Sequence, residues 1–163
     1  MIISALIPTW TPVPVADTTA MTDGGHHTIQ GGTSSQRCEL RKVEIAGQAG
    51  ASAPTILVLG RTSTVGATLT ALRLAANDGS SVLIANPPVS YAASTTKPQR
   101  SATLGMLANL GINAYGGLLH WFPGPDQRIA SIGNTASLGE LSLNAFSGGT
   151  PGAISSNIVL ETV

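Results

Sequence analysis

Leu141-Ser142-Leu143-Asn144-Ala145 alternates apolar and polar residues with period two, the pattern of a strand that buries one face. It belongs to the more regular half of the chain, where strand-like runs cover residues 112–122, 128–132, 138–146 and 154–161. The connectors are Pro123-Gly124-Pro125-Asp126, Gly133-Asn134 and Gly148-Gly149-Thr150-Pro151-Gly152. Each is built from residues that fix φ or tolerate positive φ, so each breaks a strand rather than continuing it. Short strands at this spacing predict an all-β fold, an antiparallel sandwich or barrel.

Upstream, Cys38-Glu39-Leu40-Arg41-Lys42-Val43-Glu44-Ile45-Ala46 also alternates, with its phase broken at Arg41-Lys42; a strand carrying a β-bulge accounts for that break. Thr55-Ile56-Leu57-Val58-Leu59-Gly60 is continuously apolar and reads as a central, buried strand. A short strand is expected through Thr28-Ile29-Gln30, between Gly24-Gly25 and Gly31-Gly32. Prolines 8, 12 and 14 favour an extended, polyproline-like arm. The expected organisation is therefore an arm over residues 1–25 and a single β-sandwich domain over 26–163. Trp10, inside the arm, is either a tail residue or an anchor that docks on a neighbouring subunit.

One segment argues for another class. Residues 55–87 read as strand, Gly-rich turn, Ala/Leu-rich helix and strand, and Gly60-Arg61-Thr62-Ser63-Thr64-Val65-Gly66 resembles the glycine turn of dinucleotide-binding Rossmann domains. Ser63 stands where the middle glycine is expected, and the second strand ends in Asn86-Pro87 without the acidic residue that holds a ribose hydroxyl. Residues 67–76, with Leu69, Leu72 and Ala76 in helical spacing, form either a short helix or an edge strand and loop.

Of 163 residues, 10% are charged, and 8 basic side chains cancel 8 acidic ones. Ordinary soluble domains carry about 25% charged residues, so much of this surface is expected to be covered by other subunits. The basic residues are scattered and form no cluster that would neutralise phosphates, which excludes a nucleic-acid partner. The N-terminal apolar run lacks a positive region and stops at Pro8, and no stretch approaches the ~18 apolar residues of a membrane span. No secretory signal and no membrane partner are expected.

A search for chemistry returns no catalytic, cofactor or metal site. His26, His27, His120 and Cys38 match no zinc spacing, and adjacent histidines on a strand point to opposite faces. There is no G-x-S-x-G elbow. Asp126, Glu140 and Glu161 are read as ordinary exposed or interfacial charges, Lys97-Pro98-Gln99-Arg100 as a solvated loop, and Cys38 as a buried structural thiol.

Two blocks carry a resemblance. Ser35-Gln36-Arg37-Cys38-Glu39-Leu40 leads into Ala53-Pro54-Thr55-Ile56-Leu57-Val58-Leu59, and Lys97-Pro98-Gln99-Arg100-Ser101 is followed by Asn113-Ala114-Tyr115-Gly116-Gly117. With residues 133–143 and 148–153, they look like the capsid decoration, or cement, proteins of tailed-bacteriophage virions. That resemblance implies a jelly-roll-like sandwich that forms a homo-oligomer, a trimer being favoured. It further implies a seat on the outer capsid surface, where the subunit bridges copies of the major capsid protein, and no enzymatic activity. Aromatics are enriched at interface hot spots, which makes Trp10, Tyr115, Trp121 and Phe122 the candidate contact residues. A trimeric fibre or adhesin-type binding module, and a small Rossmann-like nucleotide-binding protein, are the alternatives.

Overall fold

The structure, a computed structural model, describes residues 6–7, 25–29, 37–64, 67, 70–71, 89–90, 98–99, 101, 103, 106–131, 141–145 and 154–162. Among them run ten strands: β1 (Leu6–Ile7), β2 (Gly25–Ile29), β3 (Cys38–Gly47), β4 (Pro54–Arg61), β5 (Thr70–Ala71), β6 (Val89–Ser90), β7 (Met106–Asn113), β8 (Leu118–Trp121), β9 (Leu141–Ala145) and β10 (Ile154–Thr162). No described residue is helical. One sheet has the order β1-β10-β3-β8 and the other β5-β6-β2-β9-β4-β7. Every pairing is antiparallel, so the expected all-β, antiparallel class is the one observed.

The centre of the first sheet is β3 paired with β10 over its whole length, and the phase break in β3 is a bulge. Lys42 lies opposite Val159 and Leu40 opposite Leu160, leaving Arg41 as the extra residue. Were Arg41 paired as an ordinary strand residue, strict alternation from Leu40 would turn Lys42 and Glu44 inward and Val43 and Ile45 outward. With it, Leu40, Val43 and Ile45 share the inner face with Ile154, Ile158 and Leu160, and all six are buried. The second sheet answers with Leu57 and Leu59 from β4, Leu110 from β7, and Leu141 and Leu143 from β9, all in the same apolar cluster. Both sheets thus close on one core. Cys38 belongs to it, fully buried.

Three sequence expectations are corrected. The run at 112–122 is two strands in different sheets, divided by the turn at 114–117, where Gly116 adopts a φ of 68° that other residues rarely take; β7 also begins earlier, at Met106. Of the run at 128–132, the described residues 128–131 make an isolated bridge, Ala130 to Glu39, flanked by bonds from Leu40 N–H to Ile129 O and from Ser131 N–H to Cys38 O. In the segment read as βαβ, Thr70–Ala71 form β5 and pair with β6, so the edge-strand reading of 67–76 holds there. The strand before Gly60 is antiparallel to both of its neighbours, β7 and β9, which is not the parallel setting of a Rossmann turn. Residues 72–76 and 81–85 lie outside the described residues, as do 8–24 and so Trp10. Leu6–Ile7 of the expected arm pair with β10.

The β3–β4 and β7–β8 connections cross between the sheets side by side, and their backbones are tied together. Gly47 N–H donates to Gly117 O (2.8 Å), Ala49 N–H to Ala114 O (2.9 Å), and Ala114 N–H to Ala53 O (2.9 Å). Asn113 Oδ1 accepts from Ala53 N–H (3.1 Å) and Tyr115 N–H (3.0 Å), while its amide donates to Ser52 Oγ (3.0 Å). At Gly47 a Cβ would stand 2.2 Å from Ala114 O, so only glycine allows this approach.

Candidate assembly surface

The β7–β8 connection places two sheet edges on one side of the molecule: β7 ends the second sheet and β8 ends the first. The exposed large apolar side chains among the described residues are Ile56, Met106, Leu107, Tyr115, Leu118 and Phe122. Met106 and Leu107 lie on β7, Tyr115 in the turn, Leu118 on β8, and Phe122 directly after it; Ile56 is on β4, the strand next to β7. Isolated exposed apolar residues are ordinary, whereas a set gathered along one flank marks a contact surface.

Register decides which way each β8 side chain points. Leu119 lies opposite Ile45 and Trp121 opposite Val43, both core residues, and Leu119 and Trp121 pack, partly buried, against the core. Leu118 and His120 take the other face, opposite Ala46 and Glu44, and Leu118 is 68% exposed. Across that outer face, Asn157 Nδ2 donates to Glu44 Oε2 (2.7 Å), Lys42 Nζ pairs with Glu44 Oε1, and His120 Nδ1 is 3.5 Å from the same oxygen. The hydrogen bond from Lys42, and then that from Asn157, hold the Glu44 carboxyl below its ordinary value. Lys42 Nζ also stands 5.5 Å from the centroid of the Phe122 ring, within reach of a cation–π contact. The polar groups of this face therefore satisfy one another, while its apolar ends, Leu118 and Phe122, stay exposed, Phe122 with Lys42 over its ring.

Of the four residues chosen from sequence, Tyr115 and Phe122 are 60% and 59% exposed at the two ends of β8. Trp121 sits between them but turns inward, and Trp10 is outside the described residues. Leu118, Met106, Leu107 and Ile56 were missed. Leu118 had a signal: in Leu118-Leu119 two adjacent leucines on a strand cannot both face the core.

The described residues contain no group of three or more metal-ligating side chains; His26 and His27 lie in β2, and their side chains are outside the description. Glu161, read as an exposed or interfacial charge, is instead buried, as is Glu39 opposite it. The bulge explains how two carboxylates can share that place. It delivers Arg41, whose guanidinium pairs with Glu161 Oε2 and lies 2.9 Å from Glu39 Oε2. The Cys38 thiol is pushed by burial up to about 11, a hydrogen bond with Ser131 opposing the shift in part, so it is a structural thiol and a poor nucleophile. Pro98 is buried and Gln99 N–H donates to Thr64 Oγ1 (2.8 Å), so this part of the expected solvated loop is fastened to the chain after β4. Comparison of the chain with protein-family models, with curated proteins and with solved structures gives no match in any of the three.

Proposed function

We propose that this chain is a non-catalytic structural subunit of the virion-decoration kind, which associates with copies of itself and seats on the outside of an assembled capsid. The observation that carries the reading is the gathering of exposed apolar side chains along β7, the 114–117 turn and β8, on a chain with only 10% charged residues and no net charge. Such a flank binds through apolar and backbone contact rather than long-range steering. A subunit that binds the assembled shell and not dissociated capsid protein stabilises the shell by mass action, and no turnover is required. The jelly-roll connectivity and the bridging of major capsid proteins belong to this reading through the resemblance of residues 35–40, 53–59, 97–101, 113–117, 133–143 and 148–153 to decoration proteins.

The test is sedimentation of the purified chain with a panel of tailed-phage shells stripped of their own decoration subunits, and in parallel with dissociated capsid protein. The chain is expected to travel with at least one shell and not with the dissociated protein. Binding to no shell, together with specific attachment to a glycan or cell surface, would overturn the proposal in favour of a fibre or adhesin module.

A further inference from the structure

We infer that β8 is a pairing edge for β8 of a second copy of this chain, around a two-fold axis through His120. The inference rests on the reading of the β7–β8 flank as a contact surface and names the occupant of its β8 part.

The open edges of the two sheets are not equivalent. An unpaired edge is a template for another strand unless it is short, bulged, or guarded by Pro or Lys. Of β1 and β5 two residues each are described, too few to argue an edge from, and β7 carries an irregularity where Gly60 pairs with Met106 and leaves Leu107 over. β8 is Leu118-Leu119-His120-Trp121, four residues regular against β3, without bulge, Pro or Lys, and no described strand pairs with its other side.

The ladder phase shows which backbone groups β8 offers. Gly47 N–H bonds to Gly117 O, and antiparallel pairs alternate between bonded and non-bonded. Leu119 and Trp121 therefore spend their backbone groups on β3, as Gly117 does with its O alone, its N–H donating to Asn113 O (3.0 Å), while Leu118 and His120 aim theirs at the open edge and the same alternation carried one step on does so for Phe122. Residues opposite each other across antiparallel strands must share a face, so a two-fold axis can pass only through a residue, not between two. Centred on His120, the pairing lets the two His120 residues exchange both backbone bonds and sets Leu118 of each copy against Phe122 of the other. On the inner side Leu119 meets Trp121 of the other copy, which covers apolar surface that each leaves only partly buried. Centred on Leu119, it would set Leu118 against the imidazole instead. Charge does not oppose the contact: Lys42 and Glu44 pair within each copy, and the chain carries no net charge. A two-fold contact makes a dimer, in place of the trimer that the resemblance favours.

The test is sedimentation velocity of the full chain over a concentration series, for the wild type, His120→Ala, His120→Pro and Leu118→Lys. Alanine keeps the outward N–H, whereas proline removes it without touching a bond to β3. The wild type is expected to dimerise and His120→Ala to dimerise within about threefold of it. His120→Pro and Leu118→Lys are each expected to raise the dimer dissociation constant at least tenfold, with an unchanged circular dichroism spectrum. Should His120→Pro fail to fold, Leu118→Lys decides alone, since its side chain lies in solvent in the single copy. A monomer at every concentration, a trimer, or a dimer that both substitutions leave intact overturns the pairing. None of those results bears on shell attachment, which the sedimentation with capsids measures separately.

Discussion

At the scale of single residues, the balance of charge inside the first sheet is set by Arg41. Its guanidinium is the close partner of two buried carboxylates, Glu39 and Glu161, that face each other across β3 and β10. Removing one partner of a fully buried ion pair costs about 3–5 kcal/mol; here the Arg41 side chain is 40% exposed and Arg128 Nη1 stays 3.8 Å from Glu39 Oε1, which lessens the loss. Arg41→Met is therefore expected to lower unfolding stability by about 1–2 kcal/mol in urea titration, and adding Glu161→Gln to recover part of the loss. Equal stability of Arg41→Met and the wild type would show that the pair of carboxylates needs no arginine. Glu44 supplies a pH dependence. Its folded value lies below its unfolded one, so the carboxylate contributes stability that is present above the ordinary value of 4.5 and lost as pH falls through the lower folded value. Glu44→Gln is expected to flatten the acid limb of stability below about pH 4.5, read from urea midpoints at a series of pH values.

Elements in this chain were legible where one physical signal acted alone. The bulge in β3 was written in the phase break at Arg41-Lys42, because alternation is rigid and only an extra residue restores it. β9 followed from period two, and β10 from a strand-like run set off by the glycines before it. The turn at 114–117 was hidden because Ile112, Ala114 and Tyr115 suit a strand as well as its end. What decides there is tertiary: Asn113 Oδ1 caps both Ala53 N–H and Tyr115 N–H, from 60 residues apart and from two, and no local pattern announces that partner. Four of the six residues of the candidate surface were hidden for the same reason. Aromatic content pointed to Tyr115 and Phe122, but Leu118 and Met106 become surface residues only once the register and the start of β7 are known. The crossover also makes a prediction at this scale. Gly47→Ala would drive a Cβ to 2.2 Å from Ala114 O, backbone that cannot swing aside, and is expected to cost about 2–3 kcal/mol. Gly111→Ala, with nothing within 4 Å of the new Cβ, is expected to be neutral within about 0.5 kcal/mol, so the thermal midpoints of the two variants should separate clearly.

For the whole molecule, low charge and the placement of exposed apolar groups point the same way. A chain with 10% charged residues has little to keep copies apart, and among the described residues the exposed large apolar side chains lie on the flank where both sheets end. Composition alone carried the first half of that statement; the second needed the topology, since β7 and β8 belong to different sheets and meet only through the tied turn at 114–117. The measurement that bears most directly on this account is native mass, by light scattering after size exclusion, on the wild-type chain over a wide concentration series. The account predicts a mass above the 16.5 kDa of one chain, approaching that value only on dilution. A single 16.5 kDa species at every concentration would contradict it, since the β7–β8 flank would then stand open to water with no tendency to cover itself.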